Sequence, residues 1–316
     1  MAVTTAVVGT PLTEAILTVY SQEVLHVAQP LLRFEQVASI KRELGVLPGL
    51  TIKFLRYNAL TGGAALTENT PIVTDAITAS QIPLSVSEFG KATAASELLL
   101  RSSYDDVLSQ CATLLGRHFA KFRDGQIRDT LYGAAGVLYA NGRSARSAIL
   151  SGDTFNVDLV REGVEQLATS KAPKFNGDAY ICYIHPHQAK ALRADKAWVN
   201  ASNYGAPGQI FFGEIGRFED VRFIETTQIR KILKTDGSIY TDNEDTGVDA
   251  GVYSANADVY SAIMVGDHAV GLAIALEAEL RDNGVTDFGR THEIAYYGIW
   301  GTGLIESAHT LTLESA

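Results

Sequence analysis

The chain has two cysteines in 316 residues, too few for a disulfide framework. Cys111 and Cys182 sit in apolar surroundings and read as buried free thiols, which fits a reducing compartment. No run of eighteen apolar residues occurs, so no membrane span is expected. The start, MAVTTAVVGTPLTEAIL, lacks the basic stretch and long apolar core of a secretory signal. Positive charge is scarce: 26 Lys and Arg stand against 36 Asp and Glu, a formal charge of −10. There is no Lys/Arg-rich run, which argues against tight or sequence-specific nucleic-acid binding. Catalytic signatures are also missing. GxSxG, the P-loop and HExxH are absent, and the glycine pairs Gly213/Gly216 and Gly301/Gly303 lack the third glycine of a dinucleotide fingerprint.

What the chain does contain is a core-forming composition, with 46% hydrophobic and 20% charged residues. That suits one large or two ordinary domains. The first forty residues hold one helical segment, over residues 12–34, interrupted by Pro30. Its apolar positions Ile16, Leu17, Tyr20, Val24 and Val27 have no local partner, so it docks either on its own domain or on a neighbouring chain. LTIKFLRY (residues 50–57) reads as a strand. In IPLSVS (residues 82–87), Ile82, Leu84 and Val86 share one face, and Pro83 makes it an edge strand. The stretch between, residues 58–81, is too long for a turn and suggests either a flap or an active-site lid.

The longest helical pattern spans residues 103–139. Tyr104, Val107, Leu108, Cys111, Leu114, Leu115, His118, Phe119 and Phe122 form an apolar stripe, Arg117, Lys121, Arg123 and Asp124 fall on the other side, and Ser103 followed by Asp105 and Asp106 serves as the N-terminal signal. Gly125 marks a site for a bend. A second helix covers residues 154–170, burying Val157, Leu159, Val160, Val164 and Leu167. Residues 231–253 are polar and acidic. Read as a calcium loop from Asp242, they offer Thr246 at the fifth position and Tyr253 at the twelfth, so an EF-hand fails and a solvated insertion remains.

The middle of the chain is the most specific part. AYICYI (residues 179–184) reads as a buried strand, His185-Pro186-His187 breaks it, and residues 188–193 form a short helix. A Gly-rich loop, a GEIGR turn (residues 213–217) and the strand VRFIET (residues 221–226) follow. His-x-His is also half of a zinc or copper site, and Asp178 and Cys182 are near in sequence. No further ligand cluster completes it, because the other five histidines are scattered. A helix-start turn with imidazoles bonded to backbone is the favoured reading of His185 and His187. The end of the chain is strand-rich: residues 259–265, 294–300 and 302–313.

The order of strand, HPH turn, short helix, GEIGR turn and VRFIET strand resembles the major capsid proteins of tailed double-stranded-DNA phages, in the podovirus N-four-like branch. SAIMVGDHAVGLAIA (residues 261–275) and the aromatic final strands extend the resemblance over nearly the whole chain. It implies an α+β fold of the Hong Kong 97 type, divided into an N-terminal arm (1–48), an extended loop (49–92), a peripheral domain with a long spine helix (93–178), an axial domain (179–289, with the insertion 231–253) and C-terminal strands returning to the peripheral domain (290–316). It further implies self-assembly as hexamers and pentamers around a double-stranded DNA genome, without sequence-specific binding. Subunit contacts are expected at Lys53, Arg56, Glu68, Glu88 and Arg101. A separate scaffolding protein and a portal are expected partners, and a decoration protein is compatible. The location implied is the virion capsid, assembled in the bacterial host cytoplasm. No cofactor, metal, membrane contact or enzymatic activity is expected. The alternatives are an encapsulin-like nanocompartment subunit, or a metal-dependent enzyme using His185 and His187.

Overall fold

A computed structural model of the chain describes residues 33–42, 51–57, 60, 65, 74, 76–103, 106–133, 136–195, 214–233, 239–240 and 258–316. Most of the helix expected at 12–34, the loop residue Glu68, the Gly-rich loop after residue 195 and most of the acidic segment 231–253 lie outside these residues.

The first of two main sheets contains β1 (Ala38–Lys41), β4 (Ser87–Ser96), β12 (Val270–Thr286) and β13 (Thr291–Leu304), in the order β1-β12-β13-β4. The long antiparallel pair β12–β13 forms its centre, from Val270 opposite Leu304 to Thr286 opposite Thr291, with three register shifts that bend it. Across this sheet lies the helix α2 (Val107–Leu131). Leu115, Phe119, Ile127 and Leu131 are buried in one core with Leu272, Ile274, Tyr296 and Trp300. Polar tips secure the contact: Trp300 Nε1 donates to Gln126 Oε1 at 2.7 Å, and His118 Nδ1 lies 2.9 Å from the Tyr296 hydroxyl.

The structure corrects the expected long helix at several points. It starts after Asp106, whose side chain accepts the N–H groups of Leu108 and Ser109, while Ser103 closes the separate short helix α1 (Glu97–Ser102). It stops at Leu131, because the next residues become β5 (Gly136–Tyr139) and pair in parallel with the last strand. Gly125 causes no break; the helix runs through it. Leu114 points outward, 61% exposed. Arg123 and Asp124, assigned to the solvent side, are buried. The helix is covered twice from its middle onward, once by the sheet and once by the 3-10 turn Phe34–Val37 and by Gln228. The inner polar groups therefore find partners at Glu35, at Glu277 and in backbone.

The second sheet branches. β11 (Asp258–Val265) pairs along one side with β14 (Thr310–Ser315), which pairs with β5. On its other side residues 263–265 pair with β6 (Tyr180–Ile184), and residues 258–261 with β9 (Arg230–Leu233). β6 continues to β8 (Val221–Glu225) and β7 (Glu214–Phe218), and β9 to β10 (Ile239–Tyr240). The helices α3 (Val157–Thr169) and α4 (Pro186–Ala194) follow the expected segments. Phe155, Val160 and Leu167 pack with Cys182, Ile184, Leu192 and Phe223 in the second core. β13 lies in the first sheet and β14 in the second, so residues 290–316, expected to return together, divide between the sheets. Every residue of β14 is buried, as a strand paired on both edges and covered on both faces requires.

The third sheet is a hairpin of β2 (Thr51–Tyr57) and β3 (Ala79–Ser85), in register from Thr51 opposite Ser85 to Tyr57 opposite Ala79. Pro83 sits on β3, whose other edge carries no strand partner among the described residues, as a residue without an N–H allows.

Candidate assembly surface

The hairpin is built unevenly along its length. At its root Ile52, Leu84 and Val86 are buried against Ala273, with Phe54 and Ile299 packed beside them. The root lies so close to β13 that a Cβ on Gly301 would stand 2.0 Å from the Ser85 carbonyl oxygen. Farther out the burial ends. The alternation of a strand turns Leu55 and Tyr57 to the face opposite Ile52 and Phe54, where they are 53% and 67% exposed. Leu60 and Ile77, just beyond the paired residues, are exposed as well. A strand that is apolar on both faces, with one face uncovered, is a surface waiting for a partner.

A second uncovered apolar group lies at one end of the first sheet. Ser96 pairs with Thr291, and the Glu97 N–H bonds the Arg290 carbonyl at 2.8 Å, which sets α1 beside the turn of the β12–β13 hairpin. Leu98, Leu99, Val285 and Phe288 are all exposed there. Asp287 and Phe288 both have positive φ, which projects the Phe288 ring fully into solvent.

The charged residues singled out for subunit contact do not form one cluster in the described structure. Lys53 lies exposed on β2, and its carbonyl accepts the Lys41 ammonium at 3.0 Å. Arg56 forms an ion pair with Glu306 of the same chain. Glu88 is exposed on β4 and hydrogen-bonds Tyr297, whose hydroxyl is raised above its ordinary pKa by desolvation first and by Glu88 second. Arg101 pairs with Glu97 at 2.5 Å. Glu68 lies outside the described residues. The apolar residues Leu55, Tyr57, Leu98 and Phe288 were not singled out from the sequence, although TIKFLRY carries a signal: apolar residues occupy both of its alternating faces.

The histidine pair has a structural task. His185 caps α4, its Nδ1 accepting the His187 N–H at 3.2 Å while Gln188 Oε1 accepts the His185 N–H at 3.1 Å. Both imidazoles stack on Tyr260, with centroids 4.6 and 4.8 Å away. Asp178 is engaged by Arg217 at 2.7 Å and Arg222 at 3.0 Å. Burial pushes the Cys182 thiol well up, away from thiolate chemistry. Among the described residues no group of three His, Cys, Asp or Glu side chains could hold a metal ion, and no helix is long and apolar enough to cross a membrane.

A family model described as phage capsid protein matches residues 15–305. The chain belongs to that family. No curated protein matches the sequence of this capsid protein. Its structure is similar to the capsid of Ralstonia phage GP4, with 16% identity, a TM-score of 0.67, and 88% of this chain and 87% of that one covered. It is also similar to the Cyanophage Pam1 capsid asymmetric unit, with 16% identity, a TM-score of 0.66 and coverage of 89% and 88%. The acidic stable capsid structure of Helicobacter pylori bacteriophage KHP30 matches with 15% identity, a TM-score of 0.65 and coverage of 89% and 90%. The capsid protein thus has the α+β fold of Hong Kong 97-type phage capsids. It is a structural protein of the phage shell.

Proposed function

We propose that this capsid protein builds its shell as hexamers and pentamers, and that the β2–β3 hairpin is a flap lying over an adjacent subunit. The observation that carries this is the exposed apolar row Leu55, Tyr57, Leu60 and Ile77 on a hairpin whose apolar packing among the described residues is at its root. A two-stranded ribbon is marginal in water by itself, and beyond the Arg56–Glu306 ion pair its outer part would gain stability from contacts with another subunit. In this reading residues 1–48 are the N-terminal arm, 49–92 the extended loop, and α2 the spine helix of the peripheral domain. The second sheet forms the axial domain. Leu98 and Phe288 add a second contact surface, while Lys53, Arg56, Glu68, Glu88 and Arg101 contribute polar subunit contacts.

The shell would enclose double-stranded DNA without gripping it, which a charge of −10 supports. The HPH and GEIGR blocks resemble those of the N-four-like branch, and in this reading a separate scaffolding protein and a portal are partners and assembly takes place in the host cytoplasm. No enzymatic activity is assigned. Electron microscopy of the expressed full chain, with and without residues 60–76, tests the flap. Closed particles from the full chain and folded, unassembled subunits from the deletion are expected; normal particles from the deletion would sink the assignment. Particles holding protein cargo in place of nucleic acid would favour the nanocompartment reading.

A further inference from the structure

In the middle of α2 a carboxylate is fully buried. Asp124 Oδ1 accepts three backbone N–H groups: Arg33 at 3.0 Å, Phe34 at 2.7 Å and Glu35 at 3.3 Å. These N–H groups open the turn Phe34–Val37, where unpaired donors converge and suit an acceptor. Oδ2 is buried with no hydrogen-bond partner among the described residues. The same segment reaches the other sheet. The Phe34 ring lies on Tyr183 with centroids 4.3 Å apart, and the Tyr183 hydroxyl donates to the Arg33 carbonyl at 2.8 Å. Residues 33–37 therefore sit as a bolt between α2 and β6, immediately before β1 joins β12.

The charged groups facing this seat come from every element around it. The segment itself supplies Arg33 and Glu35, α2 supplies Arg123, β12 supplies Glu277 with Arg42 behind it, and β6 supplies Tyr183. Arg123 directs its guanidinium to Glu35 at 2.9 Å and Glu277 at 2.6 Å. Asp124 is left to backbone dipoles, with Glu35 as a nearby like charge.

We propose that Asp124 is a proton-operated latch on residues 33–37: protonated it holds the segment in its seat, ionised it favours release. A proton on Oδ2 leaves Oδ1 free to accept the three N–H groups, and it removes the charge that burial penalises. Desolvation raises the Asp124 carboxyl to about 7, outweighing the three N–H bonds that lower it. Release exposes the group to water and returns it toward its ordinary 3.8. The seated form therefore binds the proton more tightly. Docking is fully supported below the ordinary value, weakens as pH rises toward 7 and levels off above it. This latch depends on the folded subunit alone, whichever assembly the subunit builds.

Hydrogen exchange of residues 33–37 in the full-length, unassembled subunit tests it. Protection, corrected for intrinsic exchange, is expected to fall on the order of tenfold per pH unit between pH 5 and 7. Asp124→Asn keeps an acceptor but cannot ionise, so its protection should vary much less with pH than the wild type's, leaving only the contribution of Glu35, whose carboxyl burial also raises. Equal pH dependence in both chains, or none in the wild type, overturns the latch. If the variant does not fold, carboxyl titration of the wild type by NMR decides. A midpoint near 7 supports the proposal, and one below 5 overturns it.

Discussion

The outer part of the β2–β3 hairpin and the inner face of α2 carry each other's expected chemistry. The hairpin shows Leu55 and Tyr57 to solvent, while the helix buries Arg123, Asp124 and Arg128. In both places local pattern is overruled by what covers the element. The helix has two covers inside the chain, so charges on its second face are matched by Glu35, Glu277 and the Gln228 carbonyl. The hairpin has one cover, at its root, so its second apolar face is unmatched within the described residues. Buried charge marks a contact completed within the subunit, and exposed apolar surface marks a face that the described residues leave uncovered.

Substitutions can break or sharpen this contrast. Arg123→Ala has the largest expected effect. It leaves the largely buried Glu35 without its cation, while Glu277 stays partly solvated beside Arg42, a loss of about 3 kcal/mol. Denaturant unfolding would read this, and a loss under about 1 kcal/mol would mean that the cluster is not closed inside the subunit. Gly301→Ala comes next, because its Cβ would collide with the Ser85 carbonyl. Displacing the hairpin root should cost about 1–3 kcal/mol and show as a lower Tm. An unchanged Tm would show the root to be less tightly seated than its packing indicates. His185→Ala, removing the α4 cap, should cost about 1 kcal/mol. Zinc or copper bound by the wild type and lost in this variant would instead restore the metal reading. The smallest effect on stability belongs to the pair Leu55→Ser and Tyr57→Ser, within about 0.5 kcal/mol as for ordinary surface changes. The same pair should abolish closed particles in electron micrographs. A Tm drop of several degrees would place that row in an intrachain core and end the comparison.

Much of the fold was legible because its signals are local. The strand AYICYI, the HPH turn and the VRFIET strand stand where the pattern places them, and the imidazole-to-backbone bond of His185 was anticipated from the break in the strand. The helix at 154–170 was recognisable because one apolar face packs on one sheet. The misreadings share a cause. Arg123 and Asp124 look solvent-facing to any periodicity argument, because no nearby residue announces that a turn some ninety positions earlier covers them. Residues 136–139 look like more helix, because the strand they join is 175 positions away, where Leu311 meets Gly136. The candidate contact residues were chosen by charge, which is easy to see in a sequence. The exposure that marks Leu55, Tyr57 and Phe288 is a tertiary property.

The sequence by itself determined the family, the α+β alternation, the two-strand hairpin and the capped turn at His185, all set by neighbours within a few residues. Only the tertiary structure decided which faces were covered: that β14 enters the second sheet, that α2 is enclosed on two sides around Asp124, and that the hairpin is not. Burial depends on distant segments meeting in space, and a one-dimensional pattern cannot carry that information.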